Sequence, residues 1–178
     1  MELRSVTVKG LADEEMRDNV EDALSLNRLN PNRRRNVSDS RLAYLLRQAP
    51  REARGALEPF GFYEPQVEAR FVRDGEAVDV TVTVVLGEPV RVHKLALVLT
   101  GEGETDSVLM RRLERFRPRV GEVFHHGVYE ESKTAVSRSL SDRGYFDAEL
   151  LRHRVEVTRA QRRADVDLAW TSGARYAF

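Results

Sequence analysis

The stretch GFYEPQVEARFVRDGEAVDVTVTVV occupies residues 61–85 and contains two segments in which apolar and polar residues alternate. The first carries Val67, Ala69 and Phe71, and in the second a valine stands at every other position. Because side chains two residues apart point to the same face of a strand, each segment predicts a β-strand with one apolar face. Arg73-Asp74-Gly75-Glu76 lies between them and is typical of a tight turn. The stretch therefore predicts an antiparallel hairpin.

One strand and two helices are predicted ahead of this hairpin. The segment Leu3–Gly10 has alternating β-branched residues and ends on glycine, which favours a strand. An amphipathic helix follows, and the polar segment from Asn27 to Asn36 predicts a loop after it. Ser38 or Asp39 can cap a second helix. Within that helix Pro50 lacks a backbone N–H, which predicts a kink or a restart.

The same order of elements recurs in the second half of the chain, which predicts two copies of one module. Gly61-Phe62-Tyr63-Glu64-Pro65 corresponds to Gly144-Tyr145-Phe146-Asp147-Ala148 at an offset of 83, and Asp79 and Gly87 correspond to Asp165 and Gly173 at an offset of 86. The predicted fold class is α+β: tandem β-α-α-β-β modules, each with a three-stranded mixed sheet covered by two helices. The predicted boundaries are 1–88 and 89–174, with a third module beginning at 175–178.

This tandem arrangement, with glycine and two aromatic residues leading into each hairpin, resembles the POTRA domains of the Omp85 family of outer-membrane proteins. Within that family it most resembles the TamA branch. Gly121, Tyr129-Glu130, Lys133 and Gly144-Tyr145-Phe146-Asp147 stand where that branch places recurring residues, and residues 173–178 are similar to the beginning of its third domain. The resemblance extends over essentially the whole chain.

The resemblance implies the periplasmic portion of a bacterial outer-membrane protein. It implies a scaffold that helps insert outer-membrane proteins, including autotransporters. Three partners follow from it: an inner-membrane-anchored TamB-like protein, the outer-membrane protein clients, and the β-barrel of the parent chain. Another Omp85 branch is the alternative, either the general outer-membrane assembly machine or a two-partner secretion transporter.

The second strand of each module is the predicted contact surface for a partner. The third strand, with its long valine face, is predicted to be central, which leaves Pro65–Val72 and Ala148–Val157 at the edges of their sheets. Free N–H and C=O groups on an edge strand can pair with an incoming strand, a mode of binding called β-augmentation. The candidate partner-binding residues are Val67, Ala69, Phe71, Leu151, His153 and Val155.

The glycine-aromatic motifs favour a structural role over a functional one. Gly61 and Gly144 stand where a helix must end, and glycine readily adopts the left-handed conformation found there. The aromatic residues that follow are predicted to pack beneath each hairpin. The residues assigned to this structural motif are Gly61, Phe62, Tyr63, Gly87, Tyr129, Gly144, Tyr145, Phe146 and Gly173.

A cluster of arginines precedes the first hairpin. Its seven members are opposed only by Asp39 and Glu52 between residues 33 and 54; they are Arg33, Arg34, Arg35, Arg41, Arg47, Arg51 and Arg54. Such a cluster can attract nucleic acid or anionic lipid. Tyr44 is the only aromatic residue within it, although binding of single strands needs several stacking rings. We therefore predict a solvated helix face without a nucleic-acid partner, and an arginine-rich nucleic-acid-binding protein is the second alternative.

The composition of the 178-residue chain argues against catalysis and metal binding. Its 29 basic and 29 acidic side chains balance, and there is no cysteine to form a disulfide or a thiolate ligand. His125 and His126 are adjacent, a spacing that suits a single metal ion poorly, and His93 and His153 stand alone. No serine-histidine-aspartate signature or phosphate-binding loop is present. The sequence predicts neither an enzyme nor a cofactor.

Overall fold

The structure, a computed structural model, describes residues 1–176. It divides into two compact units, Met1–Pro89 and a second unit that begins at Val90. Each unit contains one three-stranded sheet with helices, and the predicted α+β class is confirmed. The third module expected at 175–178 falls partly on residues 177 and 178, which lie outside the described residues.

The first unit contains three strands and three helices. In chain order they are β1 (Glu2–Lys9), α1 (Glu14–Ala23), α2 (Pro31–Arg35), α3 (Asp39–Leu57), β2 (Gln66–Asp74) and β3 (Ala77–Val85). Asp13 caps α1 by accepting a hydrogen bond from the backbone N–H of Met16, and Ser38 caps α3 by accepting one from Arg41. A short 3₁₀ turn, Glu58–Phe60, follows α3 and ends at Gly61.

The helix α2 replaces the loop predicted between Asn27 and Asn36. Pro31 stands at its first position, where a missing N–H costs no hydrogen bond. The side chain of Asn30 accepts a hydrogen bond from the backbone N–H of Arg33 and so satisfies one of the free donors of the first turn. The capping chemistry of Asn30 and Pro31 outweighs the polar composition of the segment.

The helix α3 continues through Pro50 without the predicted restart. Proline inside a helix costs roughly 3 kcal/mol because it removes a hydrogen bond and crowds the preceding turn. Burial on both sides of the proline offsets that cost, since each buried leucine contributes about 1.5–3 kcal/mol. The buried residues of α3 are Leu42, Leu45, Ala49, Ala53, Ala56 and Leu57.

The sheet of the first unit has the strand order β1-β3-β2. The central strand β3 is parallel to β1 and antiparallel to β2, and Gly75 and Glu76 form the turn between β2 and β3. The four valines at alternate positions of β3 are at most 2% exposed and form the centre of the core; they are Val78, Val80, Val82 and Val84. At the end of β1 the chain turns at Gly10, where a Cβ atom would lie 1.9 Å from the carbonyl oxygen of Val84.

The second unit repeats this topology with two helices. Its elements are β4 (Arg91–Thr100), α4 (Ser107–Glu114), α5 (His126–Asp142), β5 (Glu149–Thr158) and β6 (Arg163–Thr171). The strand order is β4-β6-β5, with β6 parallel to β4 and antiparallel to β5. Trp170 on β6 is 1% exposed and lies at the centre of this core. Among residues 1–176, no helix combines the length and the apolar character needed to cross a bilayer.

Candidate partner-binding site

Successive residues of β3 direct their backbone N–H and C=O groups alternately toward β1 and toward β2. The N–H of Glu2 on β1 donates to the carbonyl oxygen of Glu76 at 2.6 Å, next to the pair Glu2↔Ala77. In a parallel ladder, this hydrogen bond shows that Glu76 and every second residue after it in β3 direct their N–H and C=O groups toward β1. The even-numbered residues of β3 therefore direct their N–H and C=O groups to β1, and the odd-numbered residues direct theirs to β2.

This alternation identifies the groups that β2 leaves free. In the antiparallel register the odd-numbered residues of β3 oppose even-numbered residues of β2, as in the pairs Arg70↔Thr81 and Glu68↔Thr83. The odd-numbered residues of β2 consequently point their N–H and C=O groups away from β3. Val67, Ala69 and Phe71, the predicted contact residues, are members of that outward set. The second strand is an edge strand, as its pattern predicted.

The side chains of the same three residues lie on the helix side of the sheet. Val67 and Ala69 pack against the core of the first unit and are half-buried. Phe71 is 46% exposed and continues this row toward the turn. The edge of β2 therefore combines unpaired backbone groups with an apolar row on one face, which are the two components of a strand-addition site.

In β5, as in β2, alternate residues direct their backbone groups away from the central strand, with one exception. The N–H of Arg91 on β4 donates to the carbonyl oxygen of Arg162 at 3.0 Å, so the even-numbered residues of β6 face β4. His153 and Val155 oppose those residues and direct their backbone groups outward. Leu151, the third predicted contact residue, instead lies at an irregularity of the ladder and has no partner in the register. Its exposed side chain, rather than its backbone, is what this position offers.

The helix α5 covers the His153 side chain from one face of the sheet. The His153 ring stacks on Tyr129 with ring centres 6.3 Å apart, and the ammonium group of Lys133 lies 3.5 Å from its Nε2. Burial raises the pKa of the Tyr129 hydroxyl to about 12, and the negative charge of Glu130 adds to the effect. Lys133 forms an ion pair with Glu130 at 2.8 Å. Lys133 and Glu130 are thus paired with each other, whereas the buried Tyr129 hydroxyl has no hydrogen-bond partner among the described residues.

The glycine-aromatic motifs have the predicted structural role in part. Gly61 and Gly144 have φ angles of 92° and 87° and end their helical segments in the left-handed conformation. Phe62 packs against the core of the first unit, and Tyr145 is buried in the second. Phe146, however, is 54% exposed, contrary to the prediction that it packs beneath the hairpin. Phe146 lies in the turn at residues 146–147, ahead of β5, and its ring lies 6.0 Å from that of Tyr176.

Asp106 connects the start of α4 to the end of α5. Its carboxylate accepts hydrogen bonds from the backbone N–H of Val108 at 2.9 Å and from the guanidinium of Arg143, and the Tyr145 hydroxyl lies 3.4 Å away. Burial raises the pKa of this carboxyl, but the bonds from Arg143 and Val108 outweigh burial and hold the pKa below its usual range. The group is charged near neutrality and fastens two helices together.

The predicted arginine cluster is distributed over two helices. Arg34 donates from Nε to the carbonyl oxygen of Leu3 at 3.0 Å, and Arg41 lies over the Tyr44 ring at 5.2 Å. The other five are exposed, as a solvated face requires; they are Arg33, Arg35, Arg47, Arg51 and Arg54.

The histidines contact neighbouring side chains and backbone groups. No group of three or more histidine, aspartate or glutamate side chains within residues 1–176 is arranged to hold a metal ion. His125 caps α5, because its Nδ1 accepts a hydrogen bond from the backbone N–H of Gly127 at 3.1 Å. Sequence reasoning missed this role, since histidine is not among the usual capping residues.

The geometry defines a class of protein: a tandem of small α+β modules, each with a free strand at one edge of its sheet. Comparison with known families gives the same result. The family model described as POTRA domain, TamA domain 1, matches residues 5–86, and the POTRA model described as surface antigen variable number repeat matches residues 96–169. The chain belongs to the POTRA domain family.

Solved structures of POTRA domains are similar to the chain at low sequence identity. POTRA domains 3–5 of BamA from Haemophilus influenzae are 17% identical with a TM-score of 0.47, covering 98% of this chain and 67% of theirs. POTRA domains 1–3 of Omp85 from Anabaena are 20% identical with a TM-score of 0.41, covering 95% and 60%. The chain thus spans about two thirds or less of the length of these fragments. The family assignment rests on the two family models.

Proposed function

We propose that the chain is the periplasmic scaffold region of a TamA-like outer-membrane assembly factor. It binds partner or client polypeptides by strand addition and so helps insert outer-membrane proteins, including autotransporters, without covalent chemistry. Its partners are an inner-membrane-anchored TamB-like protein, outer-membrane protein clients and the β-barrel of the parent chain. The match of the TamA domain 1 model to residues 5–86 supports this branch of the family. We place the boundaries of the two modules at 1–88 and 89–174.

The backbone N–H and C=O groups that β2 directs away from β3 are the main support for this proposal. Val67, Ala69 and Phe71 each offer one N–H and one C=O along the free edge, so an added strand gains up to six hydrogen bonds. Each such bond contributes about 0.5–1.5 kcal/mol net. Part of that gain offsets the entropy lost when the incoming strand becomes ordered. The resulting affinity is moderate, which suits a scaffold that must release its clients.

The experiment is a calorimetric titration of the chain with the periplasmic C-terminal segment of a TamB-like protein. The test variant is Val67→Pro with Ala69→Pro, which removes two outward N–H groups and none of the hydrogen bonds between β2 and β3. The matched variant in the second unit is His153→Pro with Val155→Pro. We expect binding to be lost in one of these variants and retained in the other, with both folded by circular dichroism.

Unchanged affinity in both folded variants would refute strand addition at these edges. Loss of binding in both would show that each of the two edges contributes to binding. A folded wild-type chain that does not bind at all would refute the TamB-like protein as a partner of these two modules.

One observation favours a second candidate, in which the chain comes from another branch of the Omp85 family. The model that matches residues 96–169 is the general POTRA model rather than one specific to the TamA branch. Another Omp85 branch, the general assembly machine or a two-partner secretion transporter, would carry the same second module. The number of POTRA modules ahead of the barrel in the parent gene separates these branches.

A further inference from the structure

We propose that the β2 edge selects acidic extended segments, because the flank of α3 beside it carries arginines that form no ion pair with a carboxylate. This inference rests on the proposed strand addition and names the chemistry of the strand that is added. The site is the groove between α3 and the free edge of β2, which we call the α3–β2 groove. It is lined by Ala43, Arg47, Pro50 and Arg54 on α3 and by Val67, Ala69 and Phe71 on β2.

Two contacts place α3 along the whole of β2. Near the end of β2, Arg73 forms an ion pair with Asp39 in the first turn of α3. Just before the start of β2, the carbonyl oxygen of Pro65 accepts a hydrogen bond from Nε of Arg54 at 3.2 Å. The helix therefore runs antiparallel to the strand, and Asp39 and Arg54 identify the side of α3 that faces β2.

Helical periodicity assigns further residues to this side. Residues three, four and seven positions apart lie on the same face of a helix. Counting from Asp39 and Arg54, this face also contains Ala43, Arg47 and Pro50. Ala43 and Arg47 are exposed and Pro50 is half-buried. This side of α3 thus carries Ala43 and Arg47 at the surface, beside the partly buried Val67 and Ala69 of β2.

The arginines of this flank are not neutralised within the unit. Arg47, Arg51 and Arg54 form no ion pair with any carboxylate of the described residues. Of the two acidic residues in α3, Asp39 pairs with Arg73, and Glu52 accepts a hydrogen bond from the backbone N–H of Ser25 on the α1 side.

The corresponding flank in the second unit is neutral. There Lys133, which lies beside His153 on β5, is paired with Glu130. The cation of α5 beside β5 is therefore neutralised by a carboxylate, unlike the arginines of α3 beside β2.

The spacing of the arginines matches carboxylates on an extended chain. Arg47 and Arg54 are seven residues apart, which is about 10 Å along a helix. Side chains on one face of an added strand recur every 6.8 Å or so, so three alternating acidic residues span both arginines. Nucleic acid and anionic lipid also attract arginine, but neither has the backbone amide groups that would pair with the edge of β2. An acidic polypeptide satisfies both parts of the site.

The test uses two synthetic ten-residue peptides that share an alternating valine and threonine pattern. One carries glutamate at three alternate positions and the other carries lysine at the same positions. Binding to the full 178-residue chain is followed by calorimetry at about 50 and 300 mM salt. We expect the glutamate peptide to bind about three- to tenfold more tightly at low salt, with the ratio falling at high salt.

Two charge variants locate the source of this preference. Arg47→Gln with Arg54→Gln removes charge from the groove and is expected to bring the affinity ratio close to one. The matched control, Arg33→Gln with Arg35→Gln, removes the same charge from α2, which packs beside β1 at the opposite edge of the sheet. This control is expected to keep the preference.

The outcomes separate this inference from the proposed function. Equal binding of both peptides, lost in the Val67→Pro and Ala69→Pro variant, would overturn charge selection and leave strand addition standing. A glutamate preference that survives the proline variant would overturn the assignment to an added strand. If neither peptide binds, both charge selection and strand addition are overturned. If single-stranded DNA binds more tightly than the glutamate peptide, and the arginine variant weakens that binding, the occupant is nucleic acid rather than an acidic polypeptide.

Discussion

Proline at two neighbouring positions of β2 is expected to have very different costs. Arg70 opposes Thr81 and directs its N–H toward β3, whereas the N–H of Ala69 points to the free edge. Arg70→Pro removes a ladder hydrogen bond worth about 1 kcal/mol and leaves the Thr81 carbonyl without its donor, which costs roughly another 1–3 kcal/mol. Ala69→Pro removes no ladder bond. We therefore expect Arg70→Pro to lower the free energy of unfolding by about 2–3 kcal/mol more than Ala69→Pro.

The measurement is native-state hydrogen exchange of the β3 amides, which reports on the first unit alone. Trp170 is the only tryptophan and lies in the second unit, so its fluorescence during urea unfolding is an internal control that neither variant should change. In the wild-type chain the amides of Val67, Ala69 and Phe71 should exchange rapidly and those of the even-numbered residues of β2 slowly. Equal destabilisation by the two prolines, or protection of the odd-numbered amides, would refute the assigned direction of the backbone groups.

The other predictions concern two glycines and one buried carboxylate. Gly10→Ala places a Cβ atom 1.9 Å from a β3 carbonyl oxygen at a φ of 93°, and should destabilise the first unit by about 3 kcal/mol in β3 amide exchange. Gly75→Ala, at a φ of 59° with open space around it, should cost only about 1 kcal/mol and is the matched control. Asp106→Ala leaves Arg143 without its partner and α4 without its cap, a loss of about 3 kcal/mol in urea unfolding. Because the pKa of Asp106 is lower in the folded state, its contribution is complete above the unfolded value near 4 and is lost as the pH falls through the folded pKa, so acid titration of Asp106→Asn should show a shallower loss of stability. An unchanged acid transition would contradict that role.

The strand order of both sheets could be predicted from the sequence because apolar alternation is strongest where a strand is buried. The run of valines in β3 indicated a central strand, and the mixed composition of β2 indicated an edge. The internal repeat then extended the same topology to the second unit. These features depend on the hydrophobic pattern, which a sequence shows directly.

Other features depend on contacts that the sequence does not show. The continuity of α3 through Pro50 depends on how much apolar surface the helix buries on either side. The irregularity at Leu151 depends on the register of two strands, and a shift of one residue reverses which backbone groups are free. The neutral flank of α5 depends on the pairing of Lys133 with Glu130. Each is a property of the folded neighbours rather than of the residue itself.

The pairing of the first strand with the last has a consequence for how each unit is made. β1 is separated from its partner β3 by two helices and β2, so its ladder closes a loop of more than sixty residues, and the same holds for β4 and β6. During synthesis or export from the N-terminus, the first strand therefore emerges long before its partner. Until the partner follows, the backbone groups on both of its edges are unpaired. Because the hairpin of β2 and β3 is local in sequence, we expect it to form before the parallel ladder, which makes folding of each unit slow relative to its size. A holdase that shields the first strand during this interval would increase the yield of folded chain more than one that shields the hairpin.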